Sequence, residues 1–272
     1  MSTPAPTAYA LVSDEAEWER LDAQHNGMAK YLDYKLCPAD LGNPRKILEI
    51  GSGSGAWAIQ AAKQYPDADV LAVDMNPLPA RPLPSNIRYE NVDILKPFPF
   101  APGTFDVVHI RFLPHGRSVI PRIIDLVAPG GWLLIDDIDF LAAFEGLDKA
   151  TGVKQGFAGL ISSMEAHDGD AHFGTILKSE LESSKLLSEV NVDKVDVPIN
   201  PIPKDPKKGD LSRTMRRAFM NAVGAQKLNP EAISTGGLTH EVQQAFLAQM
   251  GGDAEDWSYN VHLYFSWSKK QA

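Results

Sequence analysis

The sequence predicts an α/β fold, a largely parallel sheet with helices on both faces. Short apolar runs of strand length alternate with segments of helical spacing, the first run ends in a cluster of glycines, and acidic residues stand where successive runs end. Strands separated by helical segments at this spacing indicate βαβ units. In open sheets of that kind ligands bind beyond the carboxyl ends of the strands.

The elements follow in order. "EAEWERLDAQHNGMAKYL" (15–32) is helical, with Trp18, Leu21, His25, Met28 and Leu32 recurring on one face. "RKILEI" (45–50) is a buried strand, and "AWAIQAAKQY" (56–65) a helix closed by Pro66. "ADVLAVD" (68–74), "IRYENVDI" (87–94) and "FDVVHIRF" (105–112) are the next three strands. "RSVIPRIIDLVA" (117–128) is a helix stopped by Pro129-Gly130-Gly131, and "WLLIDD" (132–137) is a fifth strand. Between Asp74 and Ile87, prolines at 77, 79, 82 and 84 exclude a crossover helix, since each interior proline removes a hydrogen bond and clashes with the preceding turn; an extended loop is expected. Helices are predicted over 152–167, 174–187, 211–228 and 238–250, and strands over 189–199 and 259–268. "NPIPKDPKKGD" (200–210) has the composition of a linker. About sixty residues with two helices between the last two strands are too many for an ordinary connection. The chain is therefore expected to be one domain over 1–272, with an N-terminal cap helix in 14–44, a cofactor-binding core in 45–137 and a helical substrate cap in 138–188 and 200–257.

Composition narrows the function. The 272 residues are 44% hydrophobic, enough for a sizeable core, and the net charge of −9 disfavours nucleic acid or an anionic membrane as a partner. No apolar run approaches the roughly 20 residues of a membrane span, and the N-terminus lacks the basic-then-apolar order of a secretory signal. The single cysteine, Cys37, permits no intrachain disulfide and reads as a buried small hydrophobe. A cytoplasmic protein is expected.

The stretch "LEIGSGSGAWA" (48–58) holds the chemistry. Glycines permit positive φ and a close backbone approach to a ligand. The dinucleotide fingerprint is G-x-G-x-x-G, whereas Gly51, Gly53 and Gly55 are spaced G-x-G-x-G with Ala56 at the fingerprint's last position. Glu49 stands two residues before the loop, where it would repel a pyrophosphate and attract an ammonium or sulfonium; S-adenosylmethionine carries both. Asp74, ending the second strand 19 positions after Gly55, is placed for ribose hydroxyls. Asp93-Ile94, ending the third, is placed for an adenine edge.

These motifs resemble class I S-adenosylmethionine-dependent methyltransferases. More narrowly, residues 14–137, with "DEAEWERLDAQHNGMAKYLDYKL", "GSGSGAWAI", the proline-rich segment, "GTFDVVHIRFL" and "LVAPGGWLLIDD", are similar to the LaeA-like methyltransferases of fungal secondary metabolism. The resemblance implies a Rossmann-like class I fold and S-adenosylmethionine as cofactor. It implies that Glu49, Gly51, Ser52 and Gly53 hold the methionine part, Asp74 and Met75 with neighbouring Asn76 the ribose and adenine, and Asp93 with Ile94 the adenine amine. His109 joins this set by its place on the fourth strand, although by itself it reads as a core histidine.

In related enzymes acting on amides or bases the fourth strand ends in an Asn-Pro-Pro-aromatic run. Here "HIRFLPHG" puts Arg111 at the asparagine position, which disfavours a base or amide nitrogen as acceptor. Arg111 can pair with a carboxylate of substrate or cofactor, or make a structural salt bridge to Asp136 or Asp137. Transfer to a hydroxyl needs a base: His115, just past the fourth strand, is the first candidate and His25 the second, with simple packing as the alternative for His25. No His/Cys cluster has metal-ligand spacing, so no metal is expected, a lone Mg²⁺ on Asp136, Asp137 and Asp139 being the alternative. Phe140, Phe144, Phe157, Phe173, Met215, Phe219 and Met220 are either core or the lining of a lid for an apolar or aromatic small-molecule acceptor, and Arg213, Arg216 and Arg217 either part of that lid or a solvated face. The rival readings are a cofactor-binding regulatory protein acting through protein partners, and an NAD-dependent oxidoreductase, which the glycine spacing and Glu49 disfavour.

Overall fold

The computed structural model describes residues 15–112, 115–139, 146–165, 169–225, 238–252 and 256–272. Seven strands form one sheet in the order β3-β2-β1-β4-β5-β7-β6. These are β1 (Lys46–Ile50), β2 (Asp69–Asp74), β3 (Ile87–Asn91), β4 (Phe105–Arg111), β5 (Val127–Asp139), β6 (Leu187–Asn200) and β7 (Tyr259–Lys270). The first five pair in parallel, while β7 lies antiparallel between β5 and β6. The chain leaves β1 on one side toward β2 and returns on the other as β4, so a crevice opens beyond the carboxyl ends of β1 and β4, the switch point of such a sheet. This is the α/β fold the sequence predicts.

Strand alternation divides the core. Ile47, Val70, Ala72, Val107 and Leu134 face helix α2 (Ala56–Gln64) through Trp57, Ala58, Ala61 and Ala62. Their chain neighbours Leu48, Leu71, Val108, Leu133 and Ile135 face helices α3 (Gly116–Leu126) and α5 (Phe173–Ser183). Burial on both faces is why these strands are continuous apolar runs. A third cluster joins α4 (Thr151–Glu165), α6 (Pro206–Ala225) and α7 (His240–Gly251) to the ends of β6 and β7, with Phe157 touching Phe219, Phe246 and Tyr259 at ring distances of 5.1, 5.3 and 4.7 Å. The N-terminal helix α1 (Glu15–Tyr31) crosses α6 so closely that a Cβ on Gly27 would lie 2.4 Å from Thr214 Oγ1. No helix among the described residues is long and apolar enough to cross a membrane.

Several boundaries differ from expectation for local reasons. β3 ends at Asn91, leaving Asp93 and Ile94 in the following loop. β5 begins at Val127 because Gly130, at φ +74°, lets a bulge through the Pro-Gly-Gly stretch. On α1 the buried face is Glu17, Arg20, Gln24, His25, Met28 and Ala29, while Trp18, Leu21 and Leu32 are half-buried. The segment that reads as a linker contains the start of α6: the amide of Lys208 donates to Asp205 Oδ1 at 2.8 Å, with Pro206 in the first helical position. Asp205→Ala should therefore destabilise the protein by about 1 kcal/mol in urea unfolding, at an unchanged m-value; an unaltered midpoint would show that this cap adds nothing.

Candidate active site

Between β1 and α2 the backbone turns through Gly51, Gly53 and Gly55, all left-handed, with φ of +69°, +51° and +75°. Side chains rarely adopt this conformation, which is the physical reason three glycines alternate here. The turn is tied to the end of β2. The Gly51 and Ser52 amides donate to Val73 O at 2.9 and 3.0 Å, and Gly53 N donates to Asp74 Oδ2 at 2.8 Å. The other Asp74 oxygen accepts the Asn76 amide at 2.9 Å. Tyr89 and Asn91 on β3 hold the chain beyond β2 by donating to the carbonyls of Asn76 and Met75, each at 2.6 Å, and Met75 itself is exposed. Asp93 Oδ1 accepts the Leu95 amide at 3.0 Å, and Ile94 O receives Arg122 Nη2 at 2.7 Å.

Two leucines roof this turn. A Cβ on Gly53 would lie 2.9 Å from Leu21 Cδ1 on α1, and one on Gly55 would lie 2.9 Å from Leu78 Cδ2 in the proline-rich loop. Arg81 of that loop joins α1 by a fork onto Asp22, at 2.9 and 3.1 Å. The loop is extended, as its prolines require.

Behind the turn runs a buried row of charged groups. Glu49 and His109 are register partners on β1 and β4, as are Arg111 and Asp136 on β4 and β5, so all four share one face at the carboxyl edge of the sheet. Glu49 Oε2 accepts the Ala58 amide at 3.0 Å, in the first turn of α2, and Oε1 lies 3.7 Å from His109 Nδ1. The His109 ring is fully buried, stacked on Trp57 at 3.8 Å, with Nε2 3.4 Å from Asp136 Oδ2 and Nδ1 unpartnered. Asp136 Oδ2 also receives Arg111 Nε at 3.0 Å and Nη2 at 2.7 Å. The third prong, Nη1, reaches His25 Nδ1 of α1 at 3.2 Å. Burial pushes the Glu49 carboxyl up. Burial also opposes the charge of Asp136, but Arg111 and His109 outweigh it and hold that carboxyl below its ordinary value.

This geometry brings Glu49, His109, Arg111 and His25 into one network and revises three expectations. Arg111 is taken up by Asp136, so its structural reading holds. His109, being fully buried, reaches a ligand only through Glu49. The guanidinium has only donors, so His25 must accept at Nδ1 as a neutral ring. Burial and then Arg111 lower its pKa to about 3, leaving no nitrogen suited to take a proton from an acceptor. Trp57 and Leu78 were missed in the sequence, as was the approach of Leu21 to the turn; Asp136 was named there as a salt-bridge partner of Arg111, but not its joining to His109. Asp136 has one signal there, the shared parity of His109, Arg111 and Asp136 on paired strands.

His115 stands apart from that row, half-buried before α3, its carbonyl accepting the Ser118 amide at 3.1 Å. It lines a cavity of about 610 Å³ with Arg117, Ser118, Glu165, Gly169, Asp170 and Ala171. The candidate lid residues Phe157, Phe173, Met215 and Phe219 are core instead, at 5% exposure or less. Arg213 pairs with Asp210 at 2.6 Å, and Arg216 donates to the carbonyls of Met250 and Gly252 at the end of α7. Phe140, Phe144, Pro114 and His167 lie outside the described residues. Phe112, just past β4, is left-handed at φ +51°, an uncommon state for an aromatic residue that marks this strand end as strained. Cys37 is buried, and burial pushes its thiol up to about 11.

The turn fits a cofactor that needs close backbone approach. Its glycines leave the backbone bare, and the buried Ser52 hydroxyl beside it has no partner among the described atoms. Residues 47–131 match the methyltransferase-domain family. Methyltransferase str3 of Strobilurus tenacellus is 73% identical over 276 residues, spanning 100% of both chains. The chain belongs to the methyltransferases. The secondary metabolism regulator laeA of Coprinopsis cinerea is 30% identical over 144 residues, 48% of this methyltransferase and 36% of that protein. Among solved structures, Haemonchus contortus phosphoethanolamine N-methyltransferase 2, in complex with phosphomonomethylethanolamine and S-adenosylhomocysteine, shares the fold with a TM-score of 0.52 at 15% identity. The alignment spans 92% of this methyltransferase and 53% of that chain, about half its length. The same Haemonchus contortus enzyme has also been solved in complex with S-adenosyl-L-methionine, with a TM-score of 0.51 at 16% identity.

Alternation sends Asp136 to the buried row and Asp139 to the opposite face, against Thr175 of α5. Asp137 is buried near Asp136, Asp170 and Asp139, and burial, with those charges adding to it, pushes its carboxyl up to about 8. In the unfolded chain the same group ionises near pH 4. The stability contributed by its neutral form is thus full below pH 4 and is lost as pH rises through 8. Asp137→Asn, neutral in both states, should gain stability over the wild type, and the gain should grow by about 2–4 kcal/mol from pH 5 to pH 8. Urea unfolding at the two pH values tests this; a pH-independent difference refutes it.

Proposed function

We propose that this methyltransferase moves a methyl group to a hydroxyl of a small-molecule acceptor in secondary metabolism. The observation that carries the reading is the cavity beside His115, whose volume of about 610 Å³ lies within the range of small-ligand sites. Its position after β4 puts it on the ligand side of the sheet. Its lining of Glu165, Asp170, Ser118 and His115 favours an acceptor with several hydrogen-bonding groups over a purely apolar one.

S-adenosylmethionine supplies an electrophilic methyl group, and the protein's own contribution is placement and exclusion of water. Gly51, Ser52 and Gly53 hold the methionine part, with Glu49 as the nearby carboxylate. Asp74, whose oxygens each keep a lone pair beyond the amides they accept, binds the ribose hydroxyls. Met75, Asn76, Asp93 and Ile94 border the adenine, and Leu21 with Leu78 covers the turn. His115 takes the acceptor's proton, the role that the Arg111 contact denies to His25.

The likeness to laeA, 30% identity over 48% of this chain for the Coprinopsis cinerea protein, favours a second reading in which the fold binds the cofactor and acts through protein partners. Turnover of S-adenosylmethionine to S-adenosylhomocysteine with fungal metabolite pools and no added protein separates the two; absence of any methylated metabolite supports the second.

Two variants test the residues. Asp74→Ala should weaken S-adenosylmethionine binding by about 1–3 kcal/mol in calorimetric titration, and an unchanged Kd would remove Asp74 from the site. His115→Ala should lower kcat at least about a hundredfold with cofactor affinity nearly unchanged. Raising the pH should partly rescue it, because a phenolic acceptor with a pKa near 10 then ionises alone. Full turnover by the variant would mean that the acceptor needs no base.

A further inference from the structure

Asp136 is buried, accepts three donors on one oxygen, and has no part in the proposed transfer. Its effect is geometric. By taking Nε and Nη2 of Arg111 it fixes the plane of a rigid guanidinium and leaves Nη1 as the prong that meets His25 on α1. Leu21 lies four residues before His25, hence on the same side of the helix one turn away. It is Leu21 whose Cδ1 would sit 2.9 Å from a Cβ on Gly53. A path therefore runs from the end of β5 through Arg111 to His25, along one turn of α1 to Leu21, and from there to the glycine turn. The C-terminal half of α1 is held separately, by the Gly27–Thr214 approach and the Lys30–Asp210 pair on α6. The Arg111 contact thus sets the height of the middle of the helix over the turn.

We propose that Asp136 is a positioning residue for cofactor binding, orienting Arg111 so that it holds His25, and with it the Leu21 roof, in register over Gly53. The inference rests on the assignment of the glycine turn to the cofactor. Asp136 touches neither cofactor nor acceptor and acts through two intermediaries. A directional charged fork suits this role better than apolar packing, because it specifies one rotation of the helix where apolar contacts tolerate several.

The test uses S-adenosylhomocysteine as the probe, with Kd from calorimetric titration and amide hydrogen exchange on the free protein. Asp136→Asn, which keeps the shape and removes the charge, should raise Kd about tenfold or more and speed exchange over residues 18–26 of α1 by more than over α2 and α5. His25→Leu, which leaves the sheet intact, should do the same, and the double variant should be no worse than either single one, as expected for residues in one chain of contacts. Faster exchange with an unchanged Kd would reduce Asp136 to a structural role, and fold-changes that multiply would show that it does not act through His25; either overturns the proposal. Gly53→Ala provides the control. If it abolishes binding while Asp136→Asn keeps it, the positioning role alone fails. If both bind normally, the assignment of the turn fails and the inference falls with it.

Discussion

The ion pair between Arg111 and Asp136 lies inside the protein, where each charge loses several kcal/mol of hydration. Such a pair persists only if the geometry is good and the remaining donors and acceptors are met. Here both conditions come from strand register. Arg111 and Asp136 are directly paired residues of β4 and β5, so their side chains leave the sheet side by side. Two nitrogens of the guanidinium meet one carboxylate oxygen, His109 approaches that oxygen from two residues earlier on β4, and His25 meets the last prong. Removing either partner would strand a buried charge, a change that typically costs about 3–5 kcal/mol. The carboxyl edge of the sheet is therefore a charged layer on an apolar base, and the same parity that puts Val107 and Leu134 against Trp57 puts His109, Arg111 and Asp136 above them.

That layering explains how a roof can sit on the glycine turn. An α1 packed only through apolar contacts would tolerate several rotations, and its sequence offers an apolar stripe of Trp18, Leu21 and Leu32 for the purpose. The helix instead buries Glu17, Arg20, Gln24 and His25: Glu17 and Arg20 pair with each other, Arg20 also donates to Gln24, Gln24 reaches Met215 of α6, and His25 meets Arg111. The stripe is left half-buried, free to supply Leu21 to the turn, while Asp22 meets Arg81 of the proline-rich loop. The absence of a crossover helix after β2 serves the same end, since an extended loop can bring Leu78 over Gly55 where a helix would pack lower on the sheet.

The parts of this arrangement that local periodicity dictates were legible in the sequence. The strands, the glycine turn, the proline-rich loop and α2 each follow from a few consecutive residues, and their ends fell within a few positions of expectation. The start of α6 was not, because proline and lysine dominate its first turn and obscure the Asp205 cap that begins it. The buried face of α1 was legible only in His25 and Met28: amphipathic spacing assumes apolar contacts, whereas Glu17, Arg20 and Gln24 are buried by pairing along the helix and with Met215 of α6. Glu49, Arg111, His109 and His25 could each be singled out, but not their joining, which depends on register between strands far apart in the chain. Phe157, Met215 and Phe219 show the reverse case, apolar residues whose burial in a core between helices no single segment reveals.

Asp137 shows where the stability of the fold and the demands of the site part company. Parity turns Asp136 into the charged row, where Arg111 keeps it ionised, and turns Asp137 away from it, toward Asp139 and Asp170, where burial and like charge favour the neutral form. Two adjacent carboxyls thus hold opposite protonation states near neutral pH, the second at a cost to stability that an asparagine would avoid. An apolar residue at 137 would serve the core of α3 and α5 as Leu133 and Ile135 do on the same face. The acid is tolerated because it lies at the strand end, beyond the apolar centre that supplies most of the burial. Asp170, whose charge helps push Asp137 up, also lines the cavity with His115, so this buried carboxyl is coupled electrostatically to the proposed acceptor site. Apolar burial is concentrated in the middle of the sheet, and the glycine turn, the left-handed Phe112 and the perturbed acids Glu49, Asp136 and Asp137 lie toward its carboxyl edge, where the proposed methyl transfer requires groups to be aligned more than it requires them to be stable.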